Sequence, residues 1–306
     1  MASGEVAYLG PEGSFTHQAA AERFAGNPAS LRPYPSISAA FEALRSEAVE
    51  FAVAPVESLR QGPVIETYME LKSAGPARIV GEAYLPIQLY LILHPDAELD
   101  SIRSLRSKAE ALRQCGHWIE GEQARRCAAG LPPLEVEAVG STAKAAAHAA
   151  EHPDAAAISS RFVEEFYRVK VVGRGEPGWD GIQDLPDGDS YTRFLALGRS
   201  CVDRAELGDD RIKTSLAFMM PHRPGALVDV LLPFRNAAIS LEDIQPMPFR
   251  ATRGQIEYVF FMDFAGHFAD DAMRKAVHEA EETCVIDFLG SYPCAEMPRL
   301  SPDPSK

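Results

Sequence analysis

The chain has 306 residues, 46% of them hydrophobic and 24% charged, and carries a formal net charge of −14. Such a composition is typical of a globular protein with two or three domains, and the acidic balance argues against binding to a nucleic-acid backbone. The five cysteines are scattered and odd in number, which favours a reduced, cytoplasmic protein. The sequence shows neither the pattern of a signal peptide nor an apolar run long enough for a membrane span.

Predicted strands and helices alternate through residues 6–167. Strands are predicted at 6–9, 51–56, 84–93, 134–139 and 155–159, and helices at 17–24, 38–44, 107–120, 140–150 and 161–167. This alternation favours a mostly parallel sheet in each of two lobes, with the apolar run at 84–93 crossing into the second lobe.

The last third of the chain shows a different pattern. The acidic segment 203–210 is typical of a linker. After it, the predicted elements follow the order β, α, β, β, α, β, which indicates a small, self-contained unit. The tail from 296 to 306 contains three prolines and is predicted to be disordered.

Three polar turns follow predicted strands. The glycine-rich turn at 10–16 presents backbone N–H groups at a helix N-terminus, where an anion is favoured. Ser141 or Thr142 would cap a helix, and Glu57 to Arg60 would lie at the carboxyl end of a strand, where ligands gather in open α/β sheets. Each turn also has an ordinary structural explanation: a tight connection, a helix cap, or a solvated ion pair.

The stretch 189–199 is the strongest candidate for a functional site. An acidic and small-polar turn leads into an apolar strand, and Thr192 and Arg193 stand side by side at the junction. The Arg193 guanidinium can bind a carboxylate through two parallel hydrogen bonds, and the Thr192 hydroxyl can donate or accept one. The alternative is that both are ordinary strand residues, with Arg193 in a salt bridge.

Six short motifs occur in order along the chain: AYLGPEGSF at 7–15, APVE at 54–57, QC at 114–115, TRF at 192–194, PGAL at 224–227 and LGSYP at 289–293. Each is weak alone, but their joint order and spacing are a strong signal. With them the chain resembles the prephenate dehydratase family over about residues 5–294. In that family a catalytic domain is followed by a regulatory ACT domain.

The resemblance implies an α/β fold with a two-lobed catalytic domain, like a periplasmic binding protein, followed by a βαββαβ ACT domain. The implied boundaries are 1–200 for the catalytic domain, with its second lobe at about 86–172, then a linker at 201–211, the ACT domain at 212–294 and a disordered tail at 295–306. The implied reaction is decarboxylation and dehydration of prephenate to phenylpyruvate in phenylalanine biosynthesis. The resemblance implies no metal and no cofactor.

The resemblance also assigns roles to residues of this chain. Thr192 would be the general acid, and the catalytic group would further contain Arg193, Glu57 and Ser58. The residues expected to bind the substrate dianion are Gly10, Pro11, Glu12, Gly13, Ser14, Arg60, Ser141, Thr142, Ser190, Tyr191 and Phe194. A regulatory turn, where an amino-acid effector could bind within a homodimer or homotetramer, would comprise Pro224, Gly225, Ala226 and Leu227.

The sequence departs from the family pattern at four places. Ser58 and Ser190 stand where the family has asparagine, so two carboxamides beside the expected reaction site are lost. Residues 107–109 read Ser-Lys-Ala in place of Ser-His-Pro, and residues 245–248 read Gln-Pro-Met-Pro in place of Glu-Ser-Arg-Pro. Arg60 is a candidate replacement partner for substrate, and phenylalanine control is expected to be weak or absent.

These departures leave two alternatives to the dehydratase. One is a non-aromatising prephenate decarboxylase, as in relatives that serve secondary metabolism, in which CO2 leaves and the ring hydroxyl stays. The other is a non-catalytic protein whose cleft binds a small dianion. The intact Thr192-Arg193-Phe194 motif favours the dehydratase.

Overall fold

The computed structural model describes residues 4–26, 30–73, 75–176, 180–186, 189–207, 211–250 and 256–297. The strands are β1 (Glu5–Leu9), β2 (Ser30–Tyr34), β3 (Phe51–Ser58), β4 (Gly62–Pro63), β5 (Arg78–Pro86), β6 (Tyr90–Leu93), β7 (Ser104–Ser107), β8 (Glu135–Ala138), β9 (Ala155–Ser159), β10 (Lys170–Val172), β11 (Tyr191–Gly198), β12 (Ile212–Met219), β13 (Leu241–Arg250), β14 (Ile256–Ala265) and β15 (Val285–Pro293). The α-helices are α1 (Phe15–Arg23), α2 (Ile37–Arg45), α3 (Ile65–Lys72), α4 (Ala109–Gln114), α5 (Gly116–Ala128), α6 (Thr142–Glu151), α7 (Ala226–Asn236) and α8 (Asp271–Glu281). In this part of the chain, none of the helices has the length and apolar character needed to cross a bilayer.

The strands form three sheets, which confirms the α/β class. The first lobe has the order β2-β1-β3-β11-β5, with β4 paired to β3, and the second has β10-β6-β9-β7-β8. Both are mixed: β1 runs parallel to β2 and β3, whereas β11 runs antiparallel to β3 and β5. In the second sheet β7 runs parallel to β8 and β9, whereas β6 runs antiparallel to β9 and β10. The prediction of mostly parallel sheets is therefore wrong, because β11 in the first sheet and β6 in the second run against their neighbours.

The crossing between the lobes divides the apolar run at 84–93. This run was predicted as one strand, but β5 ends at Pro86 in the first sheet and β6 begins at Tyr90 in the second. Between them, the Ile87 N–H donates to the Ser190 carbonyl and the Leu89 N–H donates to the Gln183 side chain. The outgoing and returning segments therefore lie side by side between the lobes.

Two further predictions in the second lobe differ from the structure. The helix predicted at 107–120 is two helices, because Ser107 belongs to β7 and Cys115 has a non-helical backbone between α4 and α5. The helix predicted at 161–167 is a 3-10 helix at Arg161–Glu165. Alanines on one face of α6 pack against β9, so small side chains bring this helix close to the sheet.

The C-terminal unit, Ile212–Pro293, has the order β12, α7, β13, β14, α8, β15. Its strands form an antiparallel sheet in the order β13-β14-β12-β15. Phe234 of α7 stacks on Phe264 of β14 with ring centroids 4.0 Å apart, and Phe218 packs edge-on against both. These aromatic contacts hold α7 against the sheet.

The C-terminal unit packs on the first lobe through β15 and β5. A Cβ atom on Gly290 would lie 2.2 Å from the Ile79 carbonyl oxygen, so only glycine allows this approach of the two backbones. Lys72 of α3 and Asp287 of β15 form an ion pair of 2.5 Å at the same contact. The C-terminal unit is therefore docked against the first-lobe sheet that carries β11.

Candidate functional site

A cleft of about 600 Å³ lies between the two lobes. From the first lobe its polar lining is Ser14, Thr16, Ser58, Gln61, Glu66, Ser190 and Thr192, and from the second it is Lys108, Glu110, Gln114, Ser141, Thr142 and Lys144. A concave site between two lobes, with a few converging polar groups, is the usual form of a small-molecule site.

Thr192 lines the cleft at the start of β11. Side chains alternate along a strand, so Ser190, Thr192 and Phe194 face the cleft together. Thr192 pairs with Ser58 on β3 and Leu85 on β5. No described residue hydrogen-bonds the Thr192 hydroxyl, which leaves it available to a ligand.

Two helix N-termini face the cleft from opposite lobes. Ser14 caps α1 by accepting the His17 N–H, and Ser141 caps α6 by accepting the Lys144 N–H. The unpaired N–H groups of a first helical turn favour an anion. Three other residues expected to bind substrate also line the cleft: Gly10, Pro11 and Thr142.

Arg193 does not reach the cleft, which corrects the expectation that it holds a substrate carboxylate. As the neighbour of Thr192 in a strand, it points to the opposite face of the sheet, where it is 4% exposed. Its guanidinium donates to Glu82 at 2.8 Å and to Asp263 at 2.6 Å. Burial alone would lower the pKa of Arg193, but these acidic neighbours raise it well above its ordinary value.

Glu57 and Tyr191 also lie on the far face, so their expected roles at the substrate are corrected for the same reason. With Arg193 they line a second cavity of about 930 Å³ between the first lobe and the C-terminal unit. Side-chain alternation on β3 sends Ser58 into the cleft and Glu57 into this second cavity.

Three further residues expected to bind substrate do not line the cleft. Glu12 is exposed, and Gly13 packs against Val163 in a conformation with φ of 75° that suits glycine. Arg60 is exposed on the turn after β3, where its backbone N–H donates to the Ser58 hydroxyl. Arg60 is therefore not the replacement partner for the lost carboxamides.

The cleft contains several polar residues that sequence reasoning did not assign to the site. Lys144 lies two residues after Thr142, and Lys108 is the residue that replaces the family histidine, so both had a local signal. Gln114 belongs to the QC motif and Thr16 to the glycine-rich turn at 10–16, whereas Gln61 follows the polar turn at 57–60 and was not assigned a role. Gln61 and Gln114 bring two carboxamides into a cleft that has lost two at Ser58 and Ser190.

Lys108 and Lys144 are the cations among the described residues that line the cleft. Both come from the second lobe, opposite Thr192. The Lys108 ammonium lies 3.6 Å from the Glu110 carboxylate and its side chain is half exposed, while Lys144 is exposed. On the first-lobe side, Glu66 is engaged with the Ser38 hydroxyl and backbone N–H. The two lysines are therefore the charges that an anion would meet.

The Glu57 carboxylate makes no hydrogen bond or ion pair with any described residue, although its backbone is paired within the sheet. Burial and the nearby Asp243 carboxylate raise its pKa, while Arg193 partly offsets the shift. A carboxyl whose pKa is higher in the folded than in the unfolded protein lowers the free energy of unfolding when it is ionised. This destabilisation disappears when the pH falls below the pKa of the unfolded state, which is about 4.3 for glutamate.

We therefore expect Glu57→Gln to raise the melting temperature at pH 7, and the gain to shrink as the pH falls toward about 4. Thermal unfolding across this pH range measures the effect. The matched control is Glu282→Gln, which changes an exposed glutamate and should leave the curve unchanged. A less stable Glu57→Gln protein at pH 7 would show instead that the carboxylate has a favourable partner.

Within the described ranges, no group of three or more His, Cys, Asp or Glu side chains is arranged to hold a metal ion. The five cysteines are free thiols, and burial raises the pKa of Cys115 between α4 and α5.

Comparison with known proteins agrees with the two-lobed geometry. A family model described as prephenate dehydratase matches residues 6–201. A bifunctional chorismate mutase/prephenate dehydratase of Pseudomonas aeruginosa is 34% identical over 295 residues, covering 95% of this chain and 73% of that protein. A prephenate dehydratase of Mycobacterium marinum is 30% identical, covering 98% of this chain and 92% of its own. The crystal structure of prephenate dehydratase from Arthrobacter aurescens in complex with L-Phe is 28% identical, with a TM-score of 0.77 over 94% of this chain and 89% of that one.

Proposed function

The chain belongs to the prephenate dehydratase family, and we propose that its interlobe cleft converts prephenate to phenylpyruvate with Thr192 as proton donor. The observation that carries this proposal is the position of Thr192, whose unengaged hydroxyl faces a cleft that holds two lysines on the opposite wall. The protein is a lyase of phenylalanine biosynthesis.

The reaction needs a proton donor and a site that binds the prephenate dianion. As the ring carboxylate leaves as CO2, its bonding electrons move into the ring, and the departing ring hydroxyl takes a proton and leaves as water. Prephenate carries two negative charges and phenylpyruvate one, so each turnover consumes one proton. Gain of aromaticity drives the step, so the protein has to orient the substrate and supply the proton.

The Thr192 hydroxyl is a weak acid, so its ability to donate a proton depends on the groups around it. Its hydroxyl must lie against the departing oxygen, and transfer is assisted when closure of the lobes removes water from the cleft. Ser58 and Ser190 flank it on the same face and can hydrogen-bond the same oxygen or pass on a proton. A proton from solvent then restores the hydroxyl.

The substrate carboxylates are held by the second lobe in this proposal. Lys108 and Lys144 supply the opposite charges, and the N-terminus of α6 supplies backbone donors beside Thr142. This arrangement places the dianion on one wall and the proton donor on the other. Arg193, whose guanidinium is engaged by Glu82 and Asp263, does not bind the substrate carboxylates.

The decarboxylase is the second candidate, because both lost carboxamides, at Ser58 and Ser190, face the cleft. Gln61, which also lines the cleft, carries a carboxamide that can replace a lost donor, and this supports the dehydratase. Incubation of the purified protein with prephenate, with products followed by mass and ultraviolet spectrum, tests the choice. Phenylpyruvate supports the dehydratase, a decarboxylated product that keeps its hydroxyl supports the decarboxylase, and bound but unchanged prephenate supports a non-catalytic protein.

We also propose that the C-terminal unit is an ACT domain that assembles a homodimer or homotetramer, in a cytoplasmic protein. Its element order supports this, as does the turn at 224–227, where Gly225 has φ of 82° and precedes α7. The prephenate dehydratase of Arthrobacter aurescens was crystallised in complex with L-Phe. In this proposal the corresponding amino-acid site of the present chain lies near this turn.

We expect L-phenylalanine to bind weakly or not at all. Residues 245–248 lie in the edge strand β13 and supply neither a glutamate nor an arginine, and Pro246 and Pro248 have no backbone N–H. Calorimetry with L-phenylalanine, alongside inhibition of turnover, measures this. Tight binding accompanied by inhibition would contradict the expectation.

A further inference from the structure

Arg193 connects the strand of Thr192 to the C-terminal unit. Its guanidinium lies 2.7 Å from Glu82 of β5, donates to Asp263 of β14 at 2.6 Å and donates to the Tyr292 hydroxyl of β15 at 3.2 Å. The bond to Glu82 stays within the first lobe, whereas the other two cross to the C-terminal unit. A rigid, planar donor group that is held by three partners fixes the strand that carries it.

The partners of Arg193 are themselves fixed. The Ser215 hydroxyl donates to Asp263 and lies 2.7 Å from the Tyr292 hydroxyl, and Lys213 donates to both oxygens of Glu82 at 3.2 Å. All of these side chains are buried, with Tyr292 at 0% exposed. The network is therefore a connected set of buried hydrogen bonds, which holds its members in one arrangement.

The backbone is irregular where Arg193 is held. Opposite β11, Arg193 faces Glu57 and Phe194 faces Pro55, so Val56 is an extra residue on β3. Such a bulge changes the direction of the side chains around it. The register shifts directly after Arg193, and Thr192 precedes Arg193 in the strand, so the direction of the Thr192 side chain depends on how Arg193 is held.

We infer that Arg193 is a positioning residue, which with Asp263 and Tyr292 of the C-terminal unit aims the Thr192 hydroxyl into the cleft. The C-terminal unit thereby forms part of the scaffold of the reaction site without contacting substrate. This inference rests on the proposed dehydratase function. It requires that weakening the network lowers the rate of the chemical step and leaves binding at Lys108 and Lys144 intact.

The test compares three variants of the full chain for phenylpyruvate formation and melting temperature. Asp263→Asn removes one of the three carboxylate charges that face Arg193, the others being Glu82 and Asp243, and Tyr292→Phe removes one hydroxyl while keeping the ring. Asp287→Asn is the matched control, because it removes a different ion pair between the same two parts of the chain. We expect kcat to fall about tenfold in Asp263→Asn and about threefold in Tyr292→Phe, with KM within about twofold. The control should keep the kcat of the unchanged protein.

A folded Asp263→Asn protein with unchanged kcat would overturn the inference. So would an equal loss of kcat in Asp287→Asn, because docking as a whole would then be responsible. If Asp263→Asn does not fold, Tyr292→Phe decides: a lower kcat at unchanged KM supports the positioning role, and an unchanged kcat removes it. Failure of the unchanged protein to form phenylpyruvate would overturn the proposed function itself and this inference with it.

Discussion

Thr192→Ala should lower kcat for phenylpyruvate formation by about 10²- to 10⁴-fold, the range expected for loss of a positioned proton donor. KM should change little, since the charged groups that meet the dianion lie on the opposite wall at Lys108 and Lys144. A loss confined to kcat identifies an interaction made in the transition state. Steady-state kinetics with prephenate measures both constants.

Thr192→Ser is the matched control, because it keeps the hydroxyl and removes one methyl group. It should retain much more activity than Thr192→Ala. A second comparison is Ser190→Ala, which removes a neighbouring hydroxyl on the same face of the cleft. Equal activity of Thr192→Ala and the unchanged protein would remove Thr192 from the mechanism.

Replacing Lys108 or Lys144 with methionine should raise KM by about tenfold or more, because a hydrogen bond to a charged group contributes about 1.5–3 kcal/mol. The double variant should lose affinity further, while kcat at saturation falls much less. Raising the salt concentration should weaken binding in the unchanged protein and have less effect in the double variant.

Lys275→Met is the control for these two variants, since Lys275 is an exposed lysine on α8 in the C-terminal unit. It should leave KM unchanged. If KM is unchanged in the Lys108 and Lys144 variants as well, the dianion is held elsewhere. A large fall in kcat without a rise in KM would instead give the lysines a part in the chemical step.

The positions of Thr192 and Arg193 show what sequence can predict about this site. The TRF motif correctly directed attention to the strand, but adjacent strand residues face opposite sides of a sheet. Both side chains could not therefore enter one cleft, and the same rule separates Ser58 from Glu57. The side that faces the cleft depends on how the lobes and the C-terminal unit pack, which no local pattern records.

The helix caps depend on short-range sequence, whereas the split of the apolar run and the partners of Arg193 depend on contacts distant in sequence. The cap of α6 follows from short-range preferences, and Ser141 is one of the two hydroxyls expected there. The cap of α1 at Ser14 lies in the glycine-rich turn but was not predicted. The division of the run at 84–93 was not predictable, since an apolar run does not say which of two sheets will bury each half. The partners of Arg193 at Asp263 and Tyr292 are brought together only by docking of the C-terminal unit.

The ratio of phenylpyruvate formed to CO2 released tests the central claim most directly. Purified protein is mixed with prephenate, and both products are followed through the same time course. Dehydration coupled to decarboxylation in the cleft predicts one phenylpyruvate for each CO2 at every time point. Release of CO2 without phenylpyruvate, with a product that keeps the ring hydroxyl, would contradict the claim.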